Sequence, residues 1–236
     1  MAYANVRCFV LKSTNYADAD KILTLYSDKD GKISAIARGV RKISSRRSGS
    51  LDTLNLVFLN YYESSTGYRT ITEVKHLKSF RHLKDSLVST EAAYKIAGLV
   101  LKQVEEGAPD PKLFTALEKS LSLLDTGEVV PKAVLAYFYI NFKGVLGYSL
   151  SLSRCVFCGK KLSKSWSSVW FNPDKGGLVC SDCKSFEQEI SLRVAALLYK
   201  VKFLKASDYR FFKSETAELN KTLVILENYL IFKLSG

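Results

Sequence analysis

Apolar and polar residues alternate with a period of two through the first third of the chain. The alternation runs through residues 6–11, 21–26, 32–37, 54–62 and 68–74, the pattern of strands with one face buried. Turn-forming stretches separate these segments: Asn15-Tyr16, Ser27-Asp28-Lys29-Asp30-Gly31, a basic loop, and Ser64-Ser65-Thr66-Gly67. The pattern predicts five antiparallel strands within residues 6–76, the size and punctuation of an OB barrel, a frequent single-strand nucleic-acid binder. An SH3-like barrel or a simple sandwich would give much the same pattern.

After Phe80 the period becomes helical. Leu83, Leu87, Ala93, Ile96, Ala97, Val100, Leu101 and Val104 fall on one face of a long helix that stops near Glu106-Gly107, glycine being a common helix terminator. Asp110-Pro111 has the form of a new start, with Asp110 as cap, Pro111 in the first turn and Leu113, Leu117, Leu121 and Leu124 as the buried stripe. Pro131 opens a third helix. Residues 133–146 are apolar on nearly all sides, including Tyr137, Phe138, Tyr139 and Phe142, which marks a central helix whose aromatics form core, not a stacking platform. Helical spacing returns at 191–205 and at Leu219, Leu223, Leu226 and Leu230. The chain therefore reads as α+β, with a barrel domain over 1–80 and a helical domain over 81–236 interrupted by a small insert at 150–187.

That insert carries the most specific chemistry in the chain. Cys155-Val156-Phe157-Cys158 and Cys180-Ser181-Asp182-Cys183 form two C-x-x-C pairs separated by 21 residues, close to zinc-ribbon spacing. Two such turns aim four sulfurs at one point, and Zn²⁺ takes four thiolates at tetrahedral corners. Neither His76 nor His82 lies near the pairs, so the expected site is all-sulfur, closed to water, and structural: one zinc per chain. No βαβ pattern flanks either pair, which argues against a redox dithiol. Two disulfides would leave Cys8 odd and would need an oxidising compartment, for which the first residues show no signal peptide. A reducing cytoplasm is the expected setting.

Charge changes the picture further. The chain carries 35 Lys and Arg against 23 Asp and Glu, a formal charge of +12, which draws polyanions. The longest charge-free apolar run, between Lys132 and Lys143, is far short of the ~20 residues of a membrane-spanning helix, so no membrane partner is expected. The basic excess is densest between Gly31 and Leu51, where Lys32, Arg38, Arg41, Lys42, Arg46 and Arg47 occur without one acidic residue. Guanidinium groups interleaved with the hydroxyls of Ser44, Ser45, Ser48 and Ser50 suit phosphate oxygens and do not read bases. Arg193, Lys200, Lys202 and Lys205 read as the wet face of an amphipathic helix. The chain has no Walker phosphate loop, no H-x-E with P-C-x-x-C and no H-E-x-x-H. Two readings of another class stay open: a metal-dependent nuclease using Asp18, Asp20, Asp28 or Asp30, and an adaptor whose basic faces bind acidic protein tails.

The runs N-Y-A-D-A-D-K-I-L-T-L-Y-S at 15–27 and G-K-I-S-A-I-A-R-G-V-R-K at 31–42 resemble the start of the bacterial RecO family of recombination mediators. The hydrophobic 54–62 strand, T-I-T-E-V at 70–74, the helical middle and the paired cysteines are similar to the same family, so the resemblance extends over essentially the whole chain. It implies an OB domain followed by a helical domain with a zinc ribbon, and no nucleotide hydrolysis. It implies binding of single- and double-stranded DNA, annealing of complementary strands, and loading of RecA with RecR onto DNA coated by single-strand-binding protein. It implies capture of that protein's C-terminal tail by the helical domain, and a cytoplasmic, nucleoid-associated location. Arg38, Arg41 and Lys42 match the family motif; Arg46 and Arg47 rest on local charge alone.

Overall fold

The strand pattern becomes a closed barrel. The structure is a computed structural model that describes residues 2–42, 45, 47–145, 150–163 and 166–234. Five strands, β1 (Ala2–Tyr16), β2 (Asp20–Ser27), β3 (Gly31–Ala37), β4 (Leu56–Glu63) and β5 (Arg69–Lys78), close in the order β1-β2-β3-β5-β4. All neighbours are antiparallel except β3 and β5, which meet in parallel at Ile36 and Thr70. This is the OB arrangement expected from the pattern. Inward-facing positions fill the interior with Val6, Cys8, Val10, Leu23, Leu25, Ile33, Ala35, Val57, Leu59 and Ile71, and a full β-branched or leucine side chain buried there contributes about 2 kcal/mol.

β1 is longer than its alternating core, and a bulge between Val10 and Lys12 lets Phe9, Val10 and Leu11 all be buried. Phe9 points out of the barrel. Its ring lies 5.2 Å from Phe114 and 6.3 Å from Phe80, and Phe114 also stacks on Tyr26 at 6.4 Å. A helix thus covers the outer face of β1 and β2, which explains why two outward aromatics there are buried.

The helices follow as α1 (Arg81–Asp85), α2 (Leu87–Gln103), α3 (Pro111–Thr126) and α4 (Pro131–Val145). The long helix expected from Leu83 to Val104 is broken at Ser86, whose hydroxyl caps α2 by accepting from the Ser89 amide. Leu87 therefore sits at the first helical position and is 85% exposed, not part of the buried face. Asp110 does cap α3: its Oδ1 accepts from the amides of Lys112 at 2.7 Å and Leu113 at 3.1 Å.

By compactness the chain forms two units, Met1–Leu121 and Ser122–Gly236. The change of period at residue 80 is thus not where compactness divides the chain, because α1, α2 and most of α3 pack with the barrel. In the second unit α4 packs against both α5 (Leu192–Val201) and α7 (Thr216–Leu234), with α6 (Tyr209–Ser214) leading into α7. Residues 133–140 and Phe142 of α4 are all buried, as its all-round apolar sequence requires. Between α4 and α5 a small sheet forms, ordered β7 (Gly177–Cys180), β6 (Val169–Asn172), β8 (Gln188–Ile190). β8 lies just past the insert boundary expected at 187. The insert is held at the turn before β7: Gly176, at φ +66°, faces the Tyr229 ring of α7 where any Cβ would collide, and Phe171 meets the same ring edge-on at 5.9 Å.

Candidate nucleic-acid interface and metal centre

The four cysteines of the two pairs converge. Each pair sits in a tight turn closed by a backbone bond, Gly159 N to Cys155 O at 3.0 Å and Cys183 N to Cys180 O at 3.1 Å, and Gly159 takes a φ of +74° that a side chain would resist. Cys180 ends β7, so the hairpin with β6 aims the second turn at the first. The four Sγ atoms lie within 4.8 Å of one another, and Cys158 Sγ is 3.7 Å from Cys180 Sγ. Four sulfurs about 2.3 Å from one ion sit about 3.8 Å apart at the corners of a tetrahedron, so the donor set fits a metal ion. Lys160 and Asp182, 3.1 Å apart, tie one turn to the other.

The thiols are electrostatically uneven. Burial opposes ionisation of Cys155, yet the amides of Cys158, Cys180 and Phe157 outweigh it and bring its thiol down to about 6. Cys183 is pushed up to about 12 by its hydrogen bond to Cys158 and by burial, and burial foremost pushes Cys180 up. Cys8 is different: it is wholly buried in the barrel, and burial drives its thiol far up, so it is inert packing.

The basic loop is built on one buried residue. In Arg38-Gly39-Val40-Arg41-Lys42, Val40 is fully buried in the barrel core, which turns its neighbours outward. Gly39 takes a φ of +68°, and its amide donates to Asp20 Oδ1 at 2.8 Å. Arg41 is fixed by two carbonyls, its Nη1 donating to Ala17 O at 3.1 Å and its amide to Ala19 O at 2.9 Å. Arg38 and Lys42 are exposed, and among the described residues no hydrogen bond or ion pair holds either side chain. Arg47 reaches back to donate to Arg38 O at 2.9 Å and Thr72 O at 3.4 Å. Arg46 lies outside the described residues. Lys32 is spoken for elsewhere: its Nζ donates to Leu101 O at 3.0 Å in the last turn of α2, where a cation favours the negative end of the helix.

The structure adds residues that charge counting missed. Arg47 borders a shallow groove of about 640 Å³ along β4 and β5, lined also by Phe58, Asn60, Thr72, Glu73, Val74 and Lys75. The signal available in sequence was the outward register of β4 and β5; nothing in the composition marks it. Three of the four carboxylates considered for a nuclease, Asp20, Asp28 and Asp30, have structural partners. Asp20 holds Gly39, Asp28 accepts from the Arg7 amide at 3.1 Å, and Asp30 accepts from the Tyr61 hydroxyl at 2.6 Å. Among the described residues the cysteines are the one group of three or more His, Cys, Asp or Glu side chains placed to share an ion. No described helix is long and apolar enough to cross a membrane.

Comparison with known proteins accounts for both halves. The family model described as Recombination protein O N terminal matches residues 1–80, and that described as Recombination protein O C terminal matches residues 85–235. A DNA repair protein RecO from Rubrobacter xylanophilus is 34% identical over 185 residues, covering 78% of this chain and 73% of the relative. One from Desulfitobacterium hafniense is 33% identical over 186 residues, covering 78% and 66%, and one from Symbiobacterium thermophilum is 31% identical over 199 residues, covering 83% and 76%. A barrel matched at one end and a cysteine-bearing helical segment matched at the other, each by its own model, place this chain in the RecO family of DNA repair and recombination proteins.

Proposed function

We propose that this chain is a recombination mediator that binds single- and double-stranded DNA through the barrel and anneals complementary strands without nucleotide hydrolysis. The observation that carries the reading is the Val40-anchored loop, which presents Arg38, Arg41 and Lys42 outward on a barrel of OB order. Strands repel through their phosphates; a basic surface that neutralises both backbones lowers that repulsion and leaves base edges free to pair. Arg47 extends the same surface, Arg46 is assigned to it on charge alone, and the ammonium of Lys32 is taken up in holding α2. The domain roles in this reading are nucleic-acid binding over 1–80 and partner capture over 81–236, with the insert at 150–187 as a zinc ribbon.

Zinc is the metal this reading assigns to Cys155, Cys158, Cys180 and Cys183. A four-thiolate set suits a soft, tetrahedral, redox-silent ion, and with every corner taken by sulfur the ion has no place for a reacting water. When bound it supplies folding energy and no chemistry. The partners are DNA, RecR, the acidic C-terminal tail of single-strand-binding protein and, indirectly, RecA, in the cytoplasm at the nucleoid. The reading treats the chain as a non-enzyme.

The test is fluorescence-monitored annealing of complementary oligonucleotides without ATP, on naked strands and on strands coated with intact or tail-deleted single-strand-binding protein. Annealing of naked strands in all cases, with coated strands annealed only when the tail is present, is the expected result, because tethering converts a weak second contact into an intramolecular one. Equal annealing of strands coated with either form would overturn the mediator reading, and cleavage that depends on added Mg²⁺ would overturn the non-enzymatic one.

A further inference from the structure

We infer that the Ser122–Gly236 unit carries a second single-strand contact, in a cationic pocket between the first cysteine turn and α5. The inference rests on the annealing reading above, since annealing brings two strands to one protein and the barrel loop supplies one basic surface. The pocket holds about 380 Å³ and is lined by Leu152, Ser153, Arg154, Lys161, Leu162 and Tyr199. No carboxylate is among these lining residues.

Arg154 and Lys161 are opposite one another in an antiparallel bridge, and Leu162 N donates to Ser153 O at 2.9 Å to continue the pairing. Directly opposed residues of such a pair put their side chains on the same face, where like charges repel. An anion lodged between them removes that repulsion. Neighbouring cations are already engaged: Lys160 pairs with Asp182 at 3.1 Å, Lys184 lies 4.5 Å above the Trp170 ring, and Lys200 lies 3.3 Å above the Phe211 ring. Arg154 and Lys161 are both exposed, and no ion pair joins either to a described carboxylate.

The pocket opens onto exposed aromatic surface. The buried face of α5 is Val194, Ala195, Leu197, Leu198 and Val201, so Tyr199 lies off it, at 45% exposure. One turn further, Phe203 is 56% exposed, meets Tyr199 edge-on at 5.6 Å and has Lys202 Nζ 5.9 Å from its ring. Two cations, two accessible rings and a third cation in sequence match a polymer that repeats a phosphate and a flat base. A duplex would keep its base faces stacked inside, so the ligand is a single strand. An acidic peptide end would fill the pocket but leave Phe203 and Lys202 unused.

The test uses the full-length protein and a single-stranded oligonucleotide carrying 5-iodouracil. Photo-cross-links at Tyr199 or Phe203 are expected. Independently, Arg154→Ala with Lys161→Ala should lower the salt slope of log affinity by about 1.4, two contacts at about 0.7 each, which is about 25-fold in affinity at 0.1 M salt. Arg38→Ala with Lys42→Ala should lower it separately through the barrel. Absence of cross-links at both Tyr199 and Phe203, or an unchanged slope in a folded pocket variant, overturns this inference while a lowered slope in the loop variant keeps the barrel reading. An unchanged slope in the loop variant with a lowered one in the pocket variant does the reverse. Loss of binding to an acidic, aromatic-ended peptide in the pocket variant, with the DNA slope intact, reassigns the pocket to a protein tail and also overturns it.

Discussion

The ammonium of Lys32 sits 3.0 Å from the carbonyl oxygen of Leu101, so the first cation of the basic segment closes the end of α2 against the barrel. The Lys32 carbonyl accepts from the Gly107 amide at 3.0 Å, which places its ammonium and its carbonyl in the same junction. A charge-assisted bond at a helix C-terminus contributes roughly 1–2 kcal/mol. Lys32→Met should cost about that much in urea denaturation and leave the salt dependence of DNA binding unchanged. Arg38→Ala with Lys42→Ala should behave in the opposite way, flattening the salt slope with no loss of stability. A larger binding defect in the Lys32 variant than in the loop variant would reverse these assignments.

Metal removal separates folding from binding. Purified protein should contain about one zinc per chain by elemental analysis, and Cys155→Ser or Cys180→Ser should abolish it and lower the melting temperature sharply, since binding energy is folding energy at such a site. Cys8→Ser should leave metal content untouched, because that thiol is buried in the barrel. Well-folded, reduced protein without metal would contradict the assignment.

A pH effect is expected from Tyr26. Its hydroxyl accepts from the Asp110 amide at 3.2 Å, and burial foremost, with the negative charge of Asp110 adding to it, pushes its ionisation up to about 12. The folded protein thus keeps this proton at pH values where the unfolded chain has lost it. Its contribution is complete below pH ~10, the unperturbed tyrosine value, and is lost as pH rises from there through about 12. Stability should fall by up to ~1.4 kcal/mol per pH unit from this group. Tyr26→Phe should show a shallower alkaline decline than the parent when urea midpoints are compared at pH 9 to 11; identical declines would show that Tyr26 is not the group responsible.

Gly31 has no tolerated substitute. Its φ is +65°, and a Cβ there would run into the Ala108 carbonyl and approach Pro109 N to 2.7 Å. The left-handed backbone costs an L-residue ~1–2 kcal/mol and the forced shift of backbone a similar amount. Gly31→Ala should therefore destabilise by roughly 2–4 kcal/mol. Gly49→Ala, where a Cβ meets nothing within 4 Å, is the control expected to stay near parental stability.

Local chemistry determined a large part of this protein. Period-two alternation located all five barrel strands, Asp110-Pro111 located the start of α3, and the two C-x-x-C pairs located a four-sulfur site, because each depends only on residues a few positions apart. Tertiary structure decided the rest. The order β1-β2-β3-β5-β4, with its parallel contact between β3 and β5, picks the OB barrel from architectures that share the same strand pattern. Compactness divides the chain at Leu121 and not at residue 80 because Phe114 covers Phe9 and Tyr26, a contact of rings from distant parts of the chain. Charge along the chain marked Lys32 and Arg38 alike, yet the first is bonded to Leu101 and the second faces solvent. Sequence specifies which groups a chain carries and how they alternate, whereas the partner each group meets depends on long-range closure, and that closure sets whether a cation holds the fold or remains available to a ligand.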